Sequence, residues 1–239
     1  MKTIGILGGI SPESTLDYYR LINKQIRKIM GGYHSAKLLI YSFDFAQIHK
    51  LQNQGNWGEI RNLFTEKARY LLEAGADFLI LASNTSHKVL PQGEVGAKFL
   101  HIADCLGENL QRQGIVKAGL LGTQILMQGS FYKDILEKKY GTGIVVPSPD
   151  EQRKVNEIIF QHLVKGKYTQ EDCQYFYKVM TNMQKRSEIE VIILGCTEIA
   201  RLTAKGSAPL PLFDTKSIHI KAAVAKALQG QGSITSTVT

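Results

Sequence analysis

"FLILASNT", Phe78 to Thr85, is a short apolar run that breaks into small and polar residues, and it recurs as "VIILGCTE", Val191 to Glu198. A second stretch behaves the same way: "GILGG" (Gly5 to Gly9) returns as "GLLGT" (Gly119 to Thr123). The offsets are 113 residues for the first pair (196 − 83) and 114 for the second (119 − 5). One apolar match would mean little, because short strands look alike. Two in the same order at nearly one offset point to a duplicated lobe.

Apolar runs alternate with helix-period segments along nearly the whole chain, the pattern of parallel strands covered by helices. Strands are expected at residues 3–7, 37–43, 78–82, 100–103, 118–122, 144–147, 191–195 and 210–213, and helices chiefly at 15–30, 57–74, 124–140, 150–164 and 170–186. The expected fold class is α/β, with two similar lobes, each a mostly parallel sheet flanked by helices, related by a pseudo-twofold. Residues 1–98 plus 209–232 would form the first lobe and 99–208 the second. The crossover falls near "GEVGAK" (Gly93 to Lys98) and the return near "GSAPLP" (Gly206 to Pro211). Residues 233–239 read as a mobile tail.

Composition narrows the class. At 239 residues and 44% hydrophobic, the chain can fill one large α/β unit or two small lobes. Its longest apolar runs fall far below the roughly 20 residues of a membrane span, and "MKTIGILGG" lacks a signal-peptide layout, so a cytoplasmic protein without a membrane role is expected. The net charge of +8 comes from scattered lysines and arginines, with no basic and aromatic run to mark a nucleic-acid face. Three cysteines, Cys105, Cys173 and Cys196, have no C-x-x-C spacing, which argues against a disulfide framework. The six histidines show no H-x-x-x-H pair, so no metal site is indicated.

In open parallel sheets, ligands collect beyond the carboxyl ends of the strands. Ser83 and Cys196 occupy the same place in the two repeats, so two facing lobes would set one on each side of a ligand. Cys196 opens "CTEIARL", which can run as a short helix; a thiol at a helix N-terminus has its pKa lowered from about 8.5. Cys105 and Cys173 lie in helix-like stretches and read as packing residues. Asn84, Thr85, Thr197 and Glu198 follow the two reactive positions. Backbone amides and short polar side chains at such turns can receive a carboxylate, although helix capping explains the same residues. Gly8 and Gly9 permit close backbone approach in "LGGISPEST", where Ser11 or Thr15 can cap the next helix. That segment has neither G-x-G-x-x-G nor a P-loop lysine, which disfavours nucleotide binding. His87, four residues after Ser83, invites a serine-hydrolase reading, but no G-x-S-x-G elbow is present, and a histidine one turn onward usually packs or caps.

These residues resemble the aspartate/glutamate (Asp/Glu/hydantoin) racemase family. "GILGGISPEST", "HSAKLLIYSFDF", "SNTSHKV", "LHIAD", "GLLGT", "IIF" (Ile158 to Phe160), "GCTEI" and "PLFDT" fall in the family's order and approximate spacing. The resemblance implies two α/β lobes, a substrate cleft between them, a homodimer, an amino-acid substrate, and racemisation without a cofactor, either pyridoxal phosphate or metal. In that family two facing cysteines flank the α-carbon. By resemblance Cys196 is one of them; the partner position, usually C-N-T, is Ser83 here. A serine hydroxyl is a far weaker acid than a thiol, so Ser83 cannot be an equal twin. The chain therefore looks closest to broad-specificity, L-aspartate/glutamate-preferring racemases that lack the first cysteine.

The resemblance also implies substrate contacts at Ile10, Ser11, Gln52, Asn84, Thr85, Thr123, Thr197 and Glu198. Gln52 stands where archaeal-type aspartate racemases use an arginine for the distal carboxylate, and Val164 aligns nearer than Lys165 to a lysine of those enzymes. A range wider than aspartate and glutamate follows. Two alternatives stay open: a one-cysteine decarboxylase or isomerase of the same superfamily, and a non-catalytic protein that binds acidic amino acids. Glutamate racemase is disfavoured because its N-terminal D-S-G signature is absent from "GILGGISPEST".

Overall fold

The computed structural model describes residues 1–203 and 208–230. In chain order the regular elements begin with β1 (Ile4–Gly8), α1 (Pro12–Met30), β2 (Leu38–Ser42), α2 (Phe45–Asn53), α3 (Trp57–Glu73), β3 (Phe78–Leu81), α4 (Gly93–Ala97) and α5 (Ile102–Arg112). They continue with β4 (Lys117–Leu121), α6 (Gln124–Gln128), α7 (Ser130–Asp134), β5 (Gly143–Val145), α8 (Pro149–Gln161), α9 (Gln170–Ser187), β6 (Val191–Leu194), α10 (Ile199–Thr203), β7 (Leu212–Asp214) and α11 (Thr215–Leu228). A 3-10 turn, Thr85–Val89, follows β3. The proposed tail, 233–239, lies outside the described residues, as does part of the proposed return segment.

Two parallel sheets form, of order β2-β1-β3 and β5-β4-β6-β7. The repeat is visible in their register. Gly5, Ile6 and Leu7 pair with Leu79, Ile80 and Leu81 in the first sheet; Gly119, Leu120 and Leu121 pair with Ile192, Ile193 and Leu194 in the second. Every partner in the second set is the sequence-matched position of the first.

The chain separates into two compact units, one of Met1–Ala82, Val89–Leu100 and the residues from Ile220 onward, the other of Ser83–Lys88 and His101–His219. In the first, alternation along β1 sends Ile4 and Ile6 to a core with Tyr18, Ile22 and Ile26 of α1 and Ile220 and Val224 of α11. Leu7 joins the opposite core with Ile60 and Phe64 of α3. In the second unit Leu120 and Ile193 pack with Leu106 and Leu110 of α5, while Leu121 and Ile192 pack with Ile158 of α8 and Phe176 and Val179 of α9. Burying both faces explains why these strands are continuously apolar.

Helix starts follow local chemistry. Ser11 accepts from the Ser14 N–H at 3.3 Å, and Pro12 opens α1. Ser148 and Glu151 form a capping box on α8. Gly9 has φ 80, and a Cβ there would collide with the Phe43 backbone.

Several expectations differ from the structure; Ser83–Lys88, placed by sequence in the first lobe, cluster with the second unit, the one that also holds Cys196. Residues 100–103 are not a strand: a lone bridge joins Leu79 to Phe99, and the His101 ring accepts from the Ala103 N–H at 3.1 Å to cap α5. The helix expected over 124–140 breaks at Gly129, which is extended (φ −72, ψ 142) and would bring a Cβ to 2.7 Å from the Ile125 carbonyl. β7, assigned by sequence to the first lobe, instead pairs with β6 in the second sheet, and only α11 from Ile220 onward packs in the first unit.

Candidate active site

β6 delivers Cys196 to its carboxyl end, as β3 delivers Ser83. Gly195 is required on the way: a Cβ there would lie 2.5 Å from Leu126 and 3.0 Å from the Leu121 carbonyl. Cys196 is buried, and its thiol donates to Glu198 Oε2 at 3.0 Å. Thr197 Oγ1 donates to the same oxygen at 2.7 Å, and Lys216 Nζ donates to the Thr197 carbonyl at 3.0 Å. The expected lowering of the thiol pKa is not what this arrangement produces. Burial first, then the adjacent Glu198 carboxylate, push the thiol well above its ordinary value, against a smaller pull from Lys216. The helix beyond, α10, has only five residues and starts three positions later. Glu198 is instead placed to accept the thiol proton.

Ser83 Oγ donates to Ser86 Oγ at 3.1 Å and receives the Ser86 N–H at 3.4 Å. His87 does not face that hydroxyl. Its Nε2 receives the Ile102 N–H at 3.3 Å, which fixes the proton on Nδ1, 2.6 Å from the Ser83 carbonyl oxygen. Burial first, then the His101 and His219 rings, hold its pKa well below the usual 6.5. It is a neutral backbone clamp, and no Ser–His pair exists here.

The segment after Ser83 is tied to the rest of its unit through side chains. Asn84 Nδ2 donates to Thr215 Oγ1 at 3.0 Å and Asn84 Oδ1 accepts from Tyr132 at 3.1 Å; Thr215 Oγ1 in turn donates to the Leu194 carbonyl at 2.8 Å. Thr85 and Thr123 meet hydroxyl to hydroxyl at 2.8 Å, with Thr123 also capping α6. The second unit thus holds Ser83, Asn84, Thr85, Thr123, Cys196, Thr197 and Glu198. Ile10, Ser11 and Gln52, all buried, belong to the first.

Sequence reasoning missed Thr215, Tyr132 and Lys216. A signal for Lys216 existed: it shares a helical stripe with Ile220, Ala223 and Ala227, at intervals of four, three and four, so it lies on the buried face of α11. Among the described residues no cluster of three or more His, Cys, Asp or Glu could hold a metal, and no helix is long and apolar enough to cross a membrane.

Proteins of similar sequence share this fold. A curated relative, the broad specificity amino-acid racemase RacX of Bacillus subtilis (strain 168), is 24% identical over 238 residues, covering 95% of this chain and 99% of that protein. A crystal structure of an Asp/Glu racemase candidate from Yersinia pestis is 38% identical with a TM-score of 0.85, covering 96% of this chain and all of the other. That of an aspartate racemase homologue from Pyrococcus horikoshii OT3 is 31% identical with a TM-score of 0.78, at the same coverage. The family model for Asp/Glu/Hydantoin racemase matches residues 7–223, and with a duplicated parallel-sheet fold that presents Cys196 beside a carboxylate, the chain belongs to that family of isomerases.

Proposed function

We propose that the protein is a cofactor-independent amino-acid racemase acting on aspartate, glutamate or a wider range, biased toward the L-enantiomer, with Cys196 as the base and Ser83 on the opposite face of the α-carbon. The observation that carries the reading is the 3.0 Å thiol–carboxylate contact between Cys196 and Glu198. A protonated thiol cannot remove an α-proton. Transfer of its proton to Glu198 makes the thiolate, which takes the proton from the substrate carbon facing it.

The electron pair left on the α-carbon spreads into the substrate carboxylate, where backbone amides and hydroxyls around Thr85, Thr123 and Thr197 oppose the growing charge. A proton then arrives on the other face. Ser83 supports this step as a hydroxyl that orients a water: the water gives the proton, and the hydroxide left is neutralised as the Cys196 proton passes to solvent. An alkoxide at Ser83 is too basic to form.

The test is deuterium incorporation at the α-carbon of L-aspartate, L-glutamate and a panel of other amino acids in heavy water, with Cys196→Ala as control. Exchange that disappears in the variant is the expected result; no exchange on any amino acid overturns the proposal. The lone thiol also favours a second reading, an isomerase or decarboxylase that protonates one face of an enolate. Turnover of substituted malonates or of maleate, without α-exchange of amino acids, would establish it instead.

A further inference from the structure

Lys216 sits in a place that disfavours a cation twice over. It is 4% exposed, and lysine is almost never so buried without a compensating anion. It also lies in the first turn of the 14-residue α11, where the helix dipole repels positive charge. The backbone fixes it there: Asp214 Oδ1 receives the Lys216 N–H at 3.1 Å, and Ser217 Oγ donates to Asp214 Oδ2 at 2.5 Å. The ammonium then reaches the Thr197 carbonyl at 3.0 Å, on the residue between Cys196 and Glu198, whose side chains are joined by the thiol–carboxylate hydrogen bond.

We propose that Lys216 is a positioning residue whose ammonium, held on the Thr197 carbonyl, favours the negatively charged Cys196–Glu198 pair, so that the pair holds one proton rather than two and that proton can pass between sulfur and carboxylate. The proposal rests on the racemase reading for its catalytic meaning, but the effect on the pair itself does not need a substrate. The charge of the pair is the same whether the proton sits on sulfur or on the carboxylate, and a nearby cation stabilises it in both positions. Removing the cation favours uptake of a second proton, which holds the sulfur as the unreactive thiol. Among the described residues, the Glu198 carboxylate and the Lys216 ammonium act on the thiol with opposite sign, the Asp214 carboxylate lies beside Lys216 at the start of α11, and the apolar cluster around Cys196 includes Leu194, Ile199 and Leu202.

Two substitutions separate charge from geometry. Lys216→Gln keeps a donor for the Thr197 carbonyl and loses the charge; Lys216→Arg keeps the charge. The readout is the pH dependence of iodoacetamide alkylation at Cys196, followed on its own peptide by mass spectrometry so that Cys105 and Cys173 do not interfere. Lys216→Gln should slow alkylation by about tenfold or more at pH 8 and move the midpoint to higher pH, while Lys216→Arg stays within about threefold of the parent. An unchanged profile in the Gln variant overturns the proposal. Should that variant fail to fold by circular dichroism, the Arg variant decides: a retained midpoint supports the charge role, and an upward shift as large as tenfold in rate defeats it. Deuterium exchange on the same samples keeps the two ideas apart, since a parent enzyme without exchange sinks the racemase reading, whereas the alkylation profile alone judges Lys216.

Discussion

Asn84 donates its side-chain amide to Thr215 Oγ1, and that hydroxyl donates onward to the carbonyl of Leu194, two residues before Cys196. The residue after Ser83 and the strand end before Cys196 are therefore held by one relay through a side chain 131 positions away in sequence. Tyr132, fully buried, closes the other side of Asn84.

Breaking that relay should cost stability. Asn84→Ala leaves the Tyr132 hydroxyl and Thr215 short of partners in a buried site, a loss of about 1–3 kcal/mol. For a chain of this size that is about 2–4 °C of melting temperature per kcal/mol. Asn84→Asp should do no better, because it sets an acceptor against a Thr215 hydroxyl already donating to Leu194. Calorimetry on both variants checks this, and a melting temperature within 1 °C or so of the parent would remove Asn84 from the structural account.

Ser83→Cys restores a second thiol. In heavy water the parent should exchange the α-proton of an L-substrate faster than it inverts the centre, because only one face has a thiolate. The Cys variant should bring inversion up to the exchange rate and add exchange on the D-substrate, by about tenfold or more. The specificity constants in the two directions must stay equal for mirror-image free substrates, so the informative ratio is exchange to inversion by NMR and chiral chromatography. No change in that ratio places Ser83 outside the reaction path.

Glu198→Gln removes the acceptor for the thiol proton while keeping the shape of the side chain. The rate of α-exchange should fall by about 10²–10⁴, the usual range for a lost general base. Exchange at the parent rate would mean that the thiolate arises another way.

His87 sets a pH limit on stability rather than on catalysis. Its folded pKa is depressed well below 6.5, so the unfolded chain takes up a proton below that pH that the folded ring refuses. The stability His87 contributes is present above about pH 6.5 and is lost as the pH falls. His87→Gln should be less stable at pH 7.5 by about 1–3 kcal/mol, having lost a clamp on the Ser83 carbonyl and Ile102 amide. Its melting temperature should also fall less steeply between pH 7 and 5. Some slope will remain, since burial lowers His101 as well. Parallel melting curves for parent and variant would refute the assignment.

The fold was legible because duplication leaves a numerical trace: two offsets that differ by one residue, 114 and 113, became two sheets with matched register. The placing of Ser83 and Cys196 just past the carboxyl ends of β3 and β6 was legible for the same reason, since both belong to the repeated strand-and-turn segment. What stayed hidden depends on partners far away in sequence. An apolar run such as Leu210–Phe213 announces a strand but not which sheet edge receives it. "CTEIARL" has the composition of a helix start, yet the thiol–carboxylate contact that raises the Cys196 pKa exists only once the loop is folded and buried. Thr215 and Tyr132 carry no local mark of their hydrogen bonds with Asn84.

The matched register also has a consequence for how the chain assembles. Each central strand finds one neighbour far downstream, Ile4 with Phe78 and Ala118 with Val191, separations of 74 (78 − 4) and 73 (191 − 118) residues. Loops that long are closed before any ladder bond compensates for their lost entropy, and such non-local pairing belongs to the slower part of the folding spectrum. Because Ser83 and Cys196 follow the strands that dock by those closures, the Asn84–Thr215–Leu194 relay that ties their two segments together forms only with the completed topology.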